Sequence, residues 1–260
     1  MKAVILAGGF GTRLSEETGI RPKPLVEVGD KPILWHIMKI FEAHGINEFV
    51  ILCGYKGHML REYFANYSLK TSDVTFDLGN HTTTIHKNGA EQWKVTLVET
   101  GEGTLTGGRI KRAQQYIGNE TFLLTYGDGV ANVDITKLIT FHKEQNTLAT
   151  VTAVQPPGRF GIFNLDGDDT KITNFREKDQ EDMSWINGGF FVLEPEIFDY
   201  ITEGDQTTWE QTPMRNLAHN GELSAYKHDG FWQCMDSLRD KQVLEDLWEK
   251  GKAPWKVWEK

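Results

Sequence analysis

The sequence predicts an α/β fold, a three-layer α/β/α sandwich around a mainly parallel sheet with a small β-ribbon insertion. First, the apolar run Ala3–Ala7 is continuous, as expected of a strand covered on both faces. Second, apolar runs alternate with amphipathic helical patterns along residues 1–67, which favours right-handed βαβ units. Third, residues 70–93 break this rhythm with polar, threonine-rich sequence, which predicts the ribbon.

The predicted elements follow one another without repeats or linkers, so we predict a single domain over residues 1–260. A helical apolar face at 33–41 lies between Pro32 and Gly45, residue types that favour a helix start and a helix end. Ser237 and Asp240 predict a loose capping box for the last helix. After the first strand and helix, the elements in order are strand 49–53, helix 59–67, ribbon 70–93 with a hairpin signal at Asn88-Gly89, strand Lys94–Glu99, helix 108–116, strand Phe122–Tyr126, helix Ile135–Gln145, strand Ala149–Val154, short strands within 161–165, 171–176 and 185–193, and helix 238–250.

Composition and charge exclude several classes of function. The chain has 28 Lys+Arg and 37 Asp+Glu, a net charge of −9, which argues against a nucleic-acid or anionic-membrane surface. A few local cations can still bind an anionic small substrate. Cys53 and Cys234 are too few for a zinc cluster or a disulfide framework. The first apolar run is too short for a signal peptide or a membrane span. We therefore predict a soluble, cytoplasmic protein that binds neither nucleic acid nor membrane.

The strongest motif is a glycine loop directly after the first strand. Its glycines allow positive φ and close backbone approach, so successive N–H groups could surround phosphates. The pattern is not a P-loop, because Arg13 stands where Gly-Lys is needed, and Leu14 replaces the third glycine of a dinucleotide fingerprint. The loop either binds phosphate with another geometry or is a tight turn. It reads Leu6-Ala7-Gly8-Gly9-Phe10-Gly11-Thr12-Arg13-Leu14.

Two cations belong to this motif. Arg13 closes the loop, and Lys23 follows between Pro22 and Pro24. The two prolines predict that Lys23 has an extended backbone with few accessible states. Such ordering suits a lysine that must meet a phosphate, and it is not needed by a solvated one.

The chain resembles the sugar-1-phosphate nucleotidylyltransferases through the motifs LAGGFGTRL and RPKPL within residues 6–25. The resemblance is greatest to the branch that transfers CMP from CTP to glucose 1-phosphate, a step toward CDP-linked deoxysugars of bacterial surface polysaccharide. It implies a Rossmann-like nucleotide-binding sheet and a cytidylyltransferase activity. It continues through KPILWHIMK (31–39), GYKG (54–57), ETGEGTLTGGRIKR (99–112), YGDGVANVD (126–134), INGGFFVLEPEIF (186–198) and GFWQCMDSLRDK (230–241).

Asp128 and Asp236 are the candidate metal ligands. Asp128 follows the strand Phe122–Tyr126, and α/β sheets bind ligands at the carboxyl ends of their strands. Locally, Asp128 also fits an Asp-Gly turn, and Asp236 fits an acid near a helix start. By resemblance the two acids correspond to the family's Mg²⁺-binding pair, and Mg²⁺ favours one or two carboxylates together with phosphate oxygens.

The resemblance also implies a sugar-phosphate site. Glu177 would accept hydrogen bonds from sugar hydroxyls, and Lys178 would neutralise the sugar phosphate. Asn187 and Gly188 correspond to the turn that faces the sugar. Without the resemblance, the Glu-Lys pair would be interpreted as a solvated ion pair.

For the base, the resemblance implies the backbone near the first loop and a segment that includes Gly103, Thr104 and Arg109. A hydroxyl and a cation suit the acceptors on a cytosine edge. The local sequence leaves an alternative open, a helix start with a capping Thr104 and an exposed Arg109.

The expected chemistry needs no general base, because a sugar phosphate is largely ionised at pH 7. Arg13 would hold the departing β- and γ-phosphates, Lys23 the α-phosphate, and Asp128 and Asp236 the Mg²⁺. A uridylyl-, thymidylyl- or guanylyltransferase would share these residues and differ in the base pocket. A non-catalytic sugar-nucleotide sensor would have lost one of them, and a nicotinamide oxidoreductase would need the third glycine.

Tryptophans are concentrated near the C-terminus. Trp232, Trp248, Trp255 and Trp258 lie within 230–260, half of the eight in the chain. Such a segment must pack on its own body or on a partner subunit. The ribbon could also exchange between subunits, and we predict a homo-oligomer.

Overall fold

The computed structural model describes residues 1–87, 89–155, 162–163, 175–176 and 184–259. The α-helices are α1 (Ser15–Thr18), α2 (Ile33–Glu42), α3 (Gly57–Ala65), α4 (Tyr67–Thr71), α5 (Thr106–Ile117), α6 (Ile135–Gln145), α7 (Thr212–His219) and α8 (Leu238–Glu249). The strands are β1 (Ala3–Ala7), β2 (Glu27–Val28), β3 (Lys31–Pro32), β4 (Glu48–Cys53), β5 (Asp73–Asp77), β6 (Thr82–Lys87), β7 (Lys94–Glu99), β8 (Phe122–Tyr126), β9 (Gly129–Ala131), β10 (Ala149–Val154), β11 (Ile162–Phe163), β12 (Phe175–Arg176), β13 (Ile186–Asn187), β14 (Phe191–Leu193), β15 (Leu223–His228) and β16 (Trp232–Cys234).

Among the described residues, the central sheet has eight strands and is mainly parallel, as predicted. Its order is β13-β10-β14-β8-β1-β4-β7, with β15 paired to β10. Strands β8, β1, β4 and β7 run in one direction, and β15 runs parallel to β10. Only β13 and β14 run the other way, antiparallel to β10, and β14 is also antiparallel to β8.

Side chains alternate across this sheet and fill two separate cores. On β1, Ala3 and Ile5 belong to one core, whereas Val4 and Leu6 belong to the other. The first core includes buried side chains of α2, α3, α6 and α8, and the second includes those of α5 and α7. Helices therefore cover both faces, which confirms the three-layer sandwich. In the described part of the chain, no helix has the length and apolar character that a membrane crossing requires.

The predicted ribbon is present, but its turn differs from the sequence signal. Strands β5 and β6 pair as an antiparallel ribbon joined by residues 78–81. Asp77 accepts hydrogen bonds from the backbone N–H and the side chain of Asn80 at 3.0 and 2.7 Å, which closes this turn. Gly89 of the predicted Asn88-Gly89 hairpin lies instead beyond the end of β6, and residue 88 is outside the described residues.

The tryptophan-rich tail packs on its own chain. Trp255 is fully buried, and it donates a hydrogen bond from Nε1 to Nδ1 of His36 at 3.3 Å. The rings of Trp248 and His36 are 4.6 Å apart, and Trp258 packs against the same core. Of the two alternatives for the tail, the structure shows the intramolecular one.

This packing makes His36 sensitive to pH. Burial lowers the pKa of His36 to about 4, even though its Nε2 lies 2.9 Å from the carbonyl oxygen of Val28. Because the unfolded histidine titrates near 6.5, the unfolded chain binds more protons below that pH. The stabilisation by neutral His36 is therefore present above pH 6.5 and is lost as the pH falls toward 4.

We expect the free energy of unfolding to fall by about 2 kcal/mol more in the wild type than in His36→Asn between pH 7 and pH 5. Urea denaturation at both pH values measures this difference, and asparagine keeps a donor and an acceptor for the neighbouring groups. Equal pH dependence in the two proteins would contradict this account of His36.

Candidate active site

A cavity of about 410 Å³ opens at the carboxyl ends of β1 and β8. These strands are parallel neighbours with Leu6 opposite Tyr126, so the loops that follow them meet at one edge of the sheet. Asp236, which is distant in sequence, also lines the cavity. The structure thus brings together all the residues predicted for the nucleotide and the metal. Those for the nucleotide are Leu6, Ala7, Gly8, Gly9, Phe10, Gly11, Thr12, Arg13, Lys23, Gly103, Thr104, Arg109 and Asp128.

Two glycines of the loop are required by its geometry. Gly11 has a φ of 64°, in the left-handed region, and its carbonyl accepts a hydrogen bond from Leu14 N at 2.9 Å. A Cβ on Gly8 would lie only 2.2 Å from Nη1 of Arg109. The loop can therefore approach Arg109 this closely only with glycine at position 8.

Arg109 is a buried brace of this loop, with 4% of its surface exposed. Burial lowers the pKa of its guanidinium. The structure excludes the alternative of an exposed arginine. It also differs from the predicted base contact, because Nη1 and Nη2 donate to groups of the chain itself. Their acceptors are the carbonyl oxygens of Cys53, Gly101, Gly8 and Glu102 and the hydroxyl of Thr100, at 2.6–3.2 Å.

Replacing Arg109 by methionine should lower the free energy of unfolding by about 2–4 kcal/mol, because it removes these donors from buried acceptors. Urea denaturation measures the loss. Arg112→Met is the matched control on the same helix. Arg112 pairs with Asp205 at the surface, and its loss should change stability little. An Arg109 variant as stable as the control would contradict the bracing role.

Lys23 joins the two predicted metal ligands. Its Nζ lies 2.6 Å from Oδ2 of Asp128 and 2.7 Å from Oδ1 of Asp236. Burial lowers the pKa of Lys23, but the two carboxylates outweigh this effect and raise the pKa above its usual value. The carboxylates thus converge on one positive charge, which is the arrangement that a shared cation requires.

The backbone at Lys23 differs from the prediction. Pro22 is extended, with φ −67° and ψ 148°, but Lys23–Leu25 forms a 3-10 turn. Leu25 N donates to the carbonyl of Pro22 at 2.8 Å, and Val26 N donates to that of Lys23 at 3.0 Å. These two bonds stabilise the turn, so the prolines restrict Lys23 without extending it.

Arg13 and Asp236 complete the cluster. Nη1 of Arg13 donates to Oδ2 of Asp236 at 2.7 Å, while 79% of the arginine side chain stays exposed. Partial burial raises the pKa of Asp236. Hydrogen bonding to Lys23 and the charge of Arg13 outweigh this effect, so the pKa lies below its usual value. Asp236 does not cap α8, since Ser237 and Asp240 form the predicted capping box. Its carboxylate is therefore directed at the cations.

A second cavity of about 330 Å³ adjoins the first. Both are lined by Arg13, Tyr126, Asp128 and Asp236, so they meet at the charged cluster. Such a pair of chambers suits a reaction between two anionic molecules whose charges meet at the junction.

Two of the four residues predicted for the sugar lie at the second cavity. Asn187 and Gly188 line it, whereas Glu177 and Lys178 lie outside the described residues. Glu210 and Trp232 also line it and were missed. Trp232 lies within a matching segment, GFWQCMDSLRDK, but no local signal marks Glu210.

Comparisons with known proteins identify the family and the fold. The chain matches the family described as nucleotidyl transferase over residues 2–236. It is 57% identical to glucose-1-phosphate cytidylyltransferase of Salmonella typhi, with 100% of both chains covered. It is 48% identical to a Bacillus subtilis protein named probable glucose-1-phosphate cytidylyltransferase, over 99% of this chain and 100% of that one. A solved structure of HddC from Yersinia pseudotuberculosis with GMP-PN has a TM-score of 0.68 at 24% identity, covering 95% of this chain and 99% of that chain, and supports the fold.

Proposed function

The chain belongs to the nucleotidyl transferase family, and we propose that it transfers CMP from CTP to α-D-glucose 1-phosphate, giving CDP-glucose and pyrophosphate. The observation that carries the proposal is the junction of two cavities at Asp128 and Asp236, whose carboxylates share the ammonium of Lys23. The 57% identity to a glucose-1-phosphate cytidylyltransferase over the full chain supports the choice of CTP and glucose 1-phosphate.

In this proposal the larger cavity holds CTP and the smaller one the sugar phosphate. An oxygen of the sugar phosphate attacks the α-phosphorus in line, and the bond to the departing pyrophosphate breaks. The attacking phosphate is already ionised, so the chain supplies positive charge and alignment, without a proton acceptor. Lys23 meets the α-phosphate, and the exposed Arg13 turns to the β- and γ-phosphates.

Asp128 and Asp236 would hold Mg²⁺ in this site. Their fit is indicated by Lys23, whose ammonium both carboxylates share at 2.6 and 2.7 Å. Among the described residues no group of three or more His, Cys, Asp or Glu could hold a metal, so phosphate oxygens would complete the coordination. When bound, Mg²⁺ would neutralise phosphate charge and bring the two substrates together. Lys23 must then exchange the carboxylates for a phosphate.

The base and sugar contacts are assigned to other residues. Thr104 is buried and lines the larger cavity, and with Gly103 it is our candidate for the cytosine edge. Arg109 acts by positioning this segment, since its Nη2 donates to the carbonyls of both Gly8 and Glu102 at 3.0 Å. The sugar contacts proposed are Glu177, Lys178, Asn187 and Gly188.

Pyrophosphate release with Mg²⁺ tests the proposal, using CTP, UTP, dTTP, GTP and ATP against several sugar 1-phosphates. We expect the highest rate with CTP and glucose 1-phosphate. Equal rates with another nucleotide would reject the assignment of CTP as the substrate but would still agree with a nucleotidyltransferase activity. No release with any pair would favour the alternative of a sugar-nucleotide sensor.

We propose that the chain forms a homo-oligomer through its ribbon and works in the cytoplasm, where its two free cysteines would remain reduced. Phe76 and Ile85 are exposed on one face of the ribbon. Light scattering should give a mass of two or more chains of 29.6 kDa each. The double variant Phe76→Ser/Ile85→Ser should have a lower mass. A single-chain mass in the wild type would reject the oligomer.

A further inference from the structure

A chain of hydrogen bonds runs through the wall between the two cavities, with Glu210 at its centre. Tyr126 donates from Oη to Oε1 of Glu210 at 2.6 Å, and Thr106 donates from Oγ1 to Oε2 at 2.7 Å. Asn187 donates from Nδ2 to Oη of Tyr126 at 2.9 Å. Thr106 lines the larger cavity, Asn187 the smaller one, and Tyr126 both. The wall is thus a connected polar structure.

The direction of each bond follows from the carboxylate, which can only accept. The hydroxyl hydrogens of Tyr126 and Thr106 must both point at Glu210. The Tyr126 oxygen lies 2.6 Å from a carboxylate oxygen that has no hydrogen to donate, so the phenol must supply the hydrogen of this bond. With that hydrogen committed, the phenol oxygen is the acceptor for Asn187.

These constraints fix the amide of Asn187. Its Oδ1 accepts a hydrogen bond from Gly189 N at 2.9 Å, and one hydrogen of Nδ2 goes to Tyr126. Within the described part of the chain no acceptor takes the second hydrogen of Nδ2, so it can serve a ligand in the smaller cavity. A sugar hydroxyl, which offers lone pairs as an acceptor, is a suitable partner.

We infer that Glu210 is a positioning residue for the sugar 1-phosphate, acting through Tyr126 on Asn187; this inference rests on the proposed function. Without the carboxylate, Tyr126 loses its acceptor and can rotate its proton toward Asn187. The asparagine then loses the bond that orients its amide. The effect belongs to the sugar side, because the Lys23 and Arg13 contacts that serve CTP do not involve Glu210.

Steady-state kinetics of Glu210→Ala test the inference. The KM for glucose 1-phosphate should rise about tenfold, the change expected from the loss of one hydrogen bond. The KM for CTP should change less than about twofold. Glu210→Gln keeps an acceptor oxygen for Tyr126 and should restore the sugar KM to within about threefold of the wild type. Glu203→Ala is the control, since Glu203 is an exposed glutamate that lines neither cavity, and it should leave both KM values unchanged.

A double-mutant cycle shows whether Glu210 acts through Tyr126. Tyr126→Phe alone should raise the sugar KM as Glu210→Ala does, and adding Glu210→Ala to it should have no further effect. If Glu210→Ala does not fold, Tyr126→Phe and Glu210→Gln still carry the test. A merely structural role would lower kcat and thermal stability and leave both KM values unchanged.

The inference is overturned by an unchanged sugar KM, by a CTP KM that rises equally, or by a full Glu210→Ala effect on top of Tyr126→Phe. Wild-type protein that releases no pyrophosphate would instead reject the proposed function. Quenching of tryptophan fluorescence by glucose 1-phosphate alone tests the sugar side without turnover, because Trp232 lines the same cavity. Equal affinity of the wild type and Glu210→Ala there also overturns the inference.

Discussion

Turnover should fall about 10²–10³-fold when Lys23 is replaced by methionine, because the substitution removes the cation that meets the α-phosphate in the proposed reaction. Only 11% of the Lys23 side chain is exposed, so water cannot easily replace its charge. Pyrophosphate release at saturating Mg²⁺ measures the loss. Lys31→Met is the control, since Lys31 pairs only loosely with Asp30, at 3.9 Å, and lies outside both cavities.

The same variant should change metal binding in the opposite direction. In the free protein the ammonium occupies the space between the two carboxylates, and a divalent ion must displace it. Titration with Mn²⁺ followed by electron paramagnetic resonance should show about tenfold tighter binding to Lys23→Met, corresponding to one charged hydrogen bond. Near wild-type turnover together with unchanged Mn²⁺ affinity would contradict both roles of Lys23.

Replacing Asp128 by asparagine should lower turnover by about 10³-fold and weaken Mn²⁺ binding. The amide cannot supply the negative charge that a divalent ion needs, and it also leaves Lys23 with one carboxylate instead of two. Asp236→Asn should have a similar effect, because its Oδ1 faces the same ammonium.

Asp205→Asn is the matched control for these two variants. Asp205 pairs with Arg112 at the surface and lines neither cavity. Its turnover and Mn²⁺ affinity should equal those of the wild type. If Asp128→Asn behaves like this control, Asp128 is not a metal ligand.

The parallel half of the fold could be predicted because its signals are local. Ala3–Ala7 is a continuous apolar run, as expected of a strand buried on both faces, and Ala149–Val154 contains only alanine, valine and threonine and is equally buried. Leu223–His228 was missed because it is a polar, partly exposed strand parallel to Ala149–Val154. A short apolar run also does not indicate the direction of its strand in the sheet. The antiparallel direction of Phe191–Leu193 is therefore set by its pairing with the neighbouring strands.

The candidate site was predictable where residue type and chain position agree. Asp128 follows a buried strand, and the position of the strand end locates the carboxylate. Arg109 shows the limit, since its charge suggested a ligand contact but its guanidinium faces backbone carbonyls. Glu210 and Thr106 meet across a separation of 104 residues, and no local pattern predicts such a contact.

If Asp128 and Asp236 hold the divalent ion as proposed, the ammonium of Lys23 takes the place of that ion between the two carboxylates when no metal is bound. Two carboxylates held this close would repel each other without a cation between them. The ammonium of Lys23 supplies that positive charge when no metal is bound. Chelation should therefore stop the reaction without melting the fold. In the proposed reaction Lys23 would move from these two carboxylates to the nucleotide phosphate, so nucleotide binding would require a new position of one side chain and no refolding of the site.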